Sequence, residues 1–260
     1  MTNTLLSTTE ISAIPKQSGE PIIEIHNLEK SFGKNHVLNK FNLIIQKGEN
    51  VVVLGKSGCG KSVLIKCIVG LLNYDAGSLK VFGKEIAELP QQELDEMRAR
   101  IGFVFQNSAL YDSMTVRENL EFALRRHRKQ KSKEAVDQLV KETLTNVGLL
   151  DAINTMPAEL SGGMRKRVGL ARALVLYPEI MLYDEPTTGL DPITAKEISS
   201  LMLQMQKKYN TSSIIISHDM HCAQLLANRM TIMIDGINYA EGTYEELQKL
   251  DDPKTHPFFE

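Results

Sequence analysis

Short unbroken apolar runs alternate along this chain with longer stretches in which apolar residues recur every three or four positions. Val51-Val52-Val53-Leu54, Ile180-Met181-Leu182-Tyr183 and Ile214-Ile215-Ile216 are apolar throughout. Runs of that length suit parallel strands covered on both faces. Ile22 to Leu28 shows partial alternation and reads as a strand, as does Phe41 to Ile45. Leu79 to Phe82, followed by Gly83-Lys84, reads as a third strand entering a hairpin turn. These three are expected to form an antiparallel sheet near the first apolar run. Ile101 to Phe105 predicts a buried strand ending at Gln106, and Met230 to Ile234, Asp235-Gly236 and Ile237 to Ala240 predict a late hairpin.

Between Val116 and Leu149 the period changes. Val136, Leu139, Val140, Leu144 and Val147 share one helical face, and Gly148 fits a C-cap. Ser62 to Val69 and Met164 to Tyr177 are further helices. Strands, a helical insert at about 107–175, then strands again imply an α/β core interrupted by an α subdomain. Residues 1–21, rich in Thr, Ser, Ile and Pro, read as a flexible leader, with a partner-binding arm as the alternative. The domain is expected to span 22–245, with a tail at 246–260.

The chain has 260 residues, enough for one large domain or a domain with an insert. Thirty basic against 32 acidic residues leave a formal charge of −2, which argues against a nucleic-acid partner. The cluster Arg125-Arg126-His127-Arg128-Lys129-Gln130-Lys131-Ser132-Lys133 is either a solvated connection between helices or a contact for lipid headgroups or an acidic surface. Cys59, Cys67 and Cys222 lack zinc spacing and read as reduced thiols of a cytosolic protein. No run approaches a membrane span, and no secretory signal opens the sequence.

Gly55-Lys56-Ser57-Gly58-Cys59-Gly60-Lys61-Ser62 fits the phosphate-loop pattern between a buried strand and a helix. Backbone N–H groups of such a loop turn inward around a polyphosphate, and the helix N-terminus adds positive charge. Lys61 can reach the β- and γ-phosphates, and the Ser62 hydroxyl can ligate magnesium. Cys59 lies inside the loop, where a modified thiol would obstruct a nucleotide. Asp184 and Glu185 close an apolar strand. In a phosphate-loop protein the first is placed as the magnesium partner through water, and the second to polarise an attacking water. His218 follows the next apolar strand, placed to bond a γ-phosphate and hold that water. Gln106 can contact magnesium and water and report nucleotide state to the insert. Ser161, Gly162 and Gly163 open another helix and form a second anion site, about a hundred residues from the first. Two copies arranged head-to-tail would use both sites.

In order and spacing, residues 22–245 resemble the ATP-binding cassette (ABC) ATPases. The resemblance implies an ABC ATPase fold: a P-loop NTPase (RecA-like) core with an antiparallel β subdomain and an inserted α-helical subdomain. It makes Phe32 the aromatic that stacks on adenine, Gly55 to Ser62 the Walker A loop and Gln106 the Q-loop glutamine. Leu160 to Met164 becomes the signature motif, Asp184 and Glu185 Walker B with its catalytic glutamate, Asp191 part of the D-loop, and His218 the switch histidine. The implied ligands are ATP and Mg2+, and the implied activity is ATP hydrolysis in a homodimer.

Met164 stands where the signature motif usually carries Gln. Ser-Gly-Gly-Met, the segment Asn107 to Val116, Leu124 to His127, Asp191 to Thr194 and Asp252-Pro253 are similar to ATPases of the Mla-type (MCE-associated) lipid transporters. That likeness implies a subunit on the cytoplasmic face of the inner membrane, an integral membrane permease, and an MCE-type lipid-binding protein reached through it. The catalytic motifs are shared with importers of small polar solutes and with iron–sulfur assembly ATPases, so both alternatives stay open. Phe258-Phe259 is either a contact for a partner or a frayed end.

Overall fold

The computed structural model describes residues 19–127 and 132–259. Most of the proposed leader, and the centre of the basic cluster with both of its readings, lie outside the described residues. In chain order the elements are β1 (Pro21–Phe32), β2 (Asn35–Gln46), β3 (Asn50–Leu54), α1 (Lys61–Ile68), β4 (Ala76–Val81), β5 (Lys84–Glu85), α2 (Gln91–Arg98), β6 (Ile101–Val104), α3 (Val116–His127), α4 (Lys133–Asn146), α5 (Gly162–Leu174), β7 (Ile180–Asp184), α6 (Pro192–Tyr209), β8 (Ser212–Ile216), α7 (Met220–Leu226), β9 (Arg229–Ile234), β10 (Ile237–Gly242) and α8 (Tyr244–Gln248).

The central sheet has the order β10-β9-β3-β8-β7-β6, parallel from β9 through β6. Its apolar runs divide by alternation. Val51, Val53, Leu182, Ile214 and Ile216 face the core shared with α1 and the β subdomain. Val52, Leu54, Tyr183 and Ile215 face the core shared with α5, α6 and the helical subdomain. Successive side chains of a strand point to opposite faces, so a strand covered on both sides must be apolar at every position. The second sheet, β2-β1-β4-β5, is the expected antiparallel one.

The late hairpin forms as expected, with Asp235 (φ 51°) and Gly236 (φ 74°) as its two-residue turn. Arg229 fastens it to the core. Its guanidinium is buried and bonds Glu49 at 2.8 and 3.0 Å, with further contacts to Glu241 and the Ile44 carbonyl.

Helices α3, α4 and α5 build the insert, where Val140, Leu144 and Val147 are buried along the anticipated face. Phe258 and Phe259 pack against the larger core, and Phe259 meets the Tyr244 ring edge-on at 5.6 Å.

Candidate functional site

The phosphate loop runs from the buried end of β3 into α1. Gly60 has φ 111°, and a Cβ there would lie 2.7 Å from the Val37 carbonyl oxygen, so both conformation and space require glycine. Lys61 is buried, and its ammonium donates to the carbonyls of Gly55 (2.6 Å) and Lys56 (3.0 Å). The loop's own main chain thus engages the charge that the sequence assigns to phosphate. Burial raises the Cys59 thiol pKa, opposed by the nearby Lys61 charge.

Ser62 donates its hydroxyl to Asp184 at 3.2 Å, across 122 residues of chain. A hydroxyl and a carboxylate converging at the end of β3 and β7 are the oxygen donors that a hard cation prefers. Burial pushes the Asp184 carboxyl above its usual range, the Ser62 bond works against that shift, and neighbouring Glu185 adds to it. A divalent cation would relieve this desolvated carboxylate, so Ser62 and Asp184 fit Mg2+. Among the described residues no group of three or more His, Cys, Asp or Glu gathers to hold a metal by itself. That accords with magnesium sites completed by phosphate oxygens and water.

Glu185 follows immediately in the left-handed region at φ 52°, its N–H tied to the Ile216 carbonyl at 3.0 Å. Its carboxylate receives His218 Nδ1 at 2.7 Å and the Thr188 hydroxyl at 3.1 Å. The carboxylate is mostly shielded (16% exposed), whereas the imidazole is 67% exposed. Two residues from different strand ends therefore form one dyad, with Thr188 fixing the carboxylate from a third direction. If Nδ1 carries the proton donated to Glu185, Nε2 is left to face an incoming ligand.

The remaining candidates are spread around this centre. Gln106 has an exposed side chain, and its carbonyl accepts from Lys166 at 2.6 Å. Ser161 caps α5 by accepting from the Met164 N–H at 3.2 Å, which leaves its own O–H free to donate. Met164 is partly buried and packs against the larger core. The Asp191 carboxylate caps α6, accepting from the N–H groups of Ile193 (3.1 Å) and Thr194 (3.0 Å) and from the Thr194 hydroxyl (2.6 Å). Among the described residues no hydrogen bond joins Ser161, Gly162 or Gly163 to the phosphate loop. Within one chain the two anion sites remain separate.

Phe32 closes β1 and is 48% exposed, with the Lys30 ammonium 5.4 Å from its ring centre. An exposed aromatic ring of this kind is able to stack on a base. Phe32→Ala is expected to weaken MgATP binding by about 1–3 kcal/mol, the range for losing one base–aromatic stack. An unchanged Kd by calorimetry would remove Phe32 from the adenine site.

Three contacts were not read from the sequence. Thr188 steadies Glu185, Asp219 caps α7 while accepting from Thr187 at 3.3 Å, and Lys166 reaches the Q-loop main chain. A capping signal is present in Ser217-His218-Asp219, where Asp219 directly precedes α7.

A family model described as ABC transporter matches residues 38–188, more than half of the chain. This chain belongs to the ABC transporter family. Its fold is the ABC ATPase fold. The dimeric ATP-binding cassette MJ0796, described in a post-hydrolysis state bound to ADP and Pi, superposes with a TM-score of 0.77 at 31% identity. That match covers 85% of this chain and 98% of MJ0796. Among relatives, the probable ribonucleotide transport ATP-binding protein mkl of Mycobacterium tuberculosis is 40% identical over 236 residues. The match covers 91% of this ABC chain, which spans 66% of that relative's length. The methionine import protein MetN of Campylobacter jejuni is 39% identical, over 87% of this chain and 72% of its own. The intermembrane phospholipid transport protein MlaF of Haemophilus influenzae is 37% identical, over 91% of this chain and 89% of its own. No helix among the described residues of this ABC chain is long and apolar enough to cross a membrane.

Proposed function

We propose that this chain is the ATP-hydrolysing subunit of a transporter that moves a phospholipid or related lipid through a separate membrane permease. Hydrolysis is supported by the Glu185–His218 dyad beside the Lys61 loop and the Ser62–Asp184 pair. Lys61 exchanges the Gly55 and Lys56 carbonyls for phosphate oxygens. Ser62 and Asp184 would hold Mg2+, which would supply charge neutralisation at the phosphates. Glu185 takes a proton from the water that attacks the γ-phosphorus, while His218 and Thr188 fix the carboxylate. The products are ADP and inorganic phosphate. A second copy, placed head-to-tail, brings its Ser161 hydroxyl and the N–H groups of Gly162 and Gly163 to the same nucleotide, so ATP closes the dimer and its loss reopens it. Gln106 and the segment to Met114 pass this change to the permease.

The lipid reading rests on Met164. Its thioether cannot supply the amide hydrogen bonds of the usual Gln, leaving Ser161 and the glycine N–H groups to meet phosphate. The Ser-Gly-Gly-Met ending resembles that of the Mla-type ATPases, and a relative named for intermembrane phospholipid transport supports the reading. On this reading the subunit works at the cytoplasmic face of the inner membrane, coupled through its permease to an MCE-type lipid-binding protein. A second reading, an importer of a small polar solute, is favoured by the relative named for methionine import. Purification of the tagged full chain from membranes decides between them. A co-purifying multispanning permease with phospholipid identified by mass spectrometry supports lipid transport. A permease without lipid, whose ATPase rate responds to a polar solute, supports the second reading. A soluble scaffold in place of a permease would overturn both.

A further inference from the structure

Near its start, helix α5 carries three consecutive cations, Arg165, Lys166 and Arg167, each turned about a hundred degrees from the last. Their partners differ accordingly. Arg165 is exposed and donates to the Leu160 carbonyl at 2.7 Å. Arg167 reaches the Val147 carbonyl (3.3 Å) and Glu197 (3.1 Å) on the outer side. Lys166 alone turns inward. It is 8% exposed, and its ammonium donates to the Gln106 carbonyl at 2.6 Å and lies 3.4 Å from the Glu185 carbonyl.

A buried ammonium without a carboxylate partner is costly. Among the described residues Lys166 forms no ion pair, and both of its acceptors are main-chain carbonyls. Burial draws its pKa down, while the nearby Glu185 charge pulls it back up. A core position of this kind is ordinarily filled by an apolar side chain at less cost. What the cation adds is a charge-assisted bond to the Gln106 carbonyl and attraction to that of Glu185, joining the main chain of the Q-loop glutamine to the main chain of Glu185.

Further along the same helix, α5 grips the Q-loop again. Arg172 donates to the carbonyls of Ala109 (2.6 Å) and Ser108 (2.9 Å), two residues with positive φ. Gly169 lies so close that an added Cβ would sit 3.2 Å from the Ser108 Cβ. The Q-loop main chain from Gln106 to Ala109 is thereby splinted to the helix whose first turn carries Ser161, Gly162 and Gly163. Lys166 is where this splint also meets the residue that performs the chemistry.

We propose that Lys166 is a positioning residue of the ATPase site, setting the Q-loop and the signature helix in register with Glu185 of the same subunit. It touches neither nucleotide nor water. It acts through the Gln106 and Glu185 main chains, and the proposal rests on the catalytic reading given above. Removing it leaves one subunit's phosphate loop intact and degrades the alignment of catalytic parts.

The experiment compares the purified full chain with Lys166→Met, Lys166→Arg and Glu185→Gln. MgATP binding is measured by calorimetry and turnover by phosphate release. Misplacing catalytic groups by a fraction of an ångström to an ångström lowers turnover by about tenfold to a hundredfold, so Lys166→Met should lose that much kcat while its Kd for MgATP stays unchanged. Lys166→Arg, which can still donate to both carbonyls, should recover most of the rate. The proposal is overturned if Lys166→Met turns over like the parent, if its Kd weakens in step with its rate, or if the arginine variant is as slow as the methionine one. Should Lys166→Met fail to fold, Lys166→Gln takes its place: its shorter, neutral amide cannot make charge-assisted bonds to both carbonyls, so it should turn over more slowly than the parent and than Lys166→Arg, and a parent-like rate overturns the proposal. A Glu185→Gln chain that hydrolyses at the parent rate would sink the catalytic reading and this proposal with it. An inactive Glu185→Gln beside a fully active Lys166→Met would sink only the role of Lys166.

Discussion

Glu185→Gln is expected to bind MgATP as the parent does and to hydrolyse it about 10²–10⁴-fold more slowly, the range attributed to a general base. The substitution preserves the side-chain shape, so the amide oxygen can still accept from Thr188 and His218, the partners that hold the carboxylate at 3.1 and 2.7 Å. The backbone tie from the Glu185 N–H to the Ile216 carbonyl is untouched. Only the capacity to take a proton from water is lost. With hydrolysis blocked, ATP should accumulate in a closed head-to-tail dimer, visible by size-exclusion chromatography with ATP and absent with ADP. Near-normal phosphate release from this variant would remove Glu185 from the role of base.

The second large effect is expected at Lys61. Losing a preorganised donor to the transition state costs about 3–4 kcal/mol, so Lys61→Ala should lower kcat by at least about 10²–10³-fold. MgATP affinity should fall as well, because the same ammonium contacts the phosphates of the bound ground state. Lys61 also bonds the Gly55 and Lys56 carbonyls, so its removal loosens the loop. Thermal unfolding of the variant, measured alongside turnover, separates the two consequences. A midpoint like the parent's with a collapsed rate assigns the loss to catalysis. Unchanged kinetics would contradict the assignment of Lys61 to the phosphates.

How far the fold could be read in advance depended on how each element is covered. Strands β3, β7 and β8 are buried on both faces, and that environment leaves an unbroken apolar run that little else produces. The longest helix, α6 with 18 residues, went unread although its signals were present: Asp191 as N-cap, Pro192 in the first turn, and Ala195, Ile198, Met202 and Met205 at helical spacing. Asp191, which the resemblance assigns to the D-loop, also has a local duty as the cap of α6.

The site divides in the same way. Residues that serve through loop chemistry, Gly55 to Ser62 above all, announce themselves by spacing. Lys166 does not. Within Arg165-Lys166-Arg167 nothing distinguishes the inward cation from its neighbours until the phase of α5 against the sheet is known. The dyad of Glu185 and His218 joins residues from two strand ends, and only the parallel pairing of β7 with β8 brings them within reach.

Glu185 occupies a main-chain conformation that asparagine or glycine holds with less strain. Left-handed backbone at an ordinary residue costs on the order of 1–3 kcal/mol, and here that cost falls on the residue that must carry the carboxylate. Stability and chemistry therefore pull this position in opposite directions. Left to drift under a demand for folding alone, position 185 would relax toward residues unable to act as a base, and the chain would become more durable as it lost its turnover.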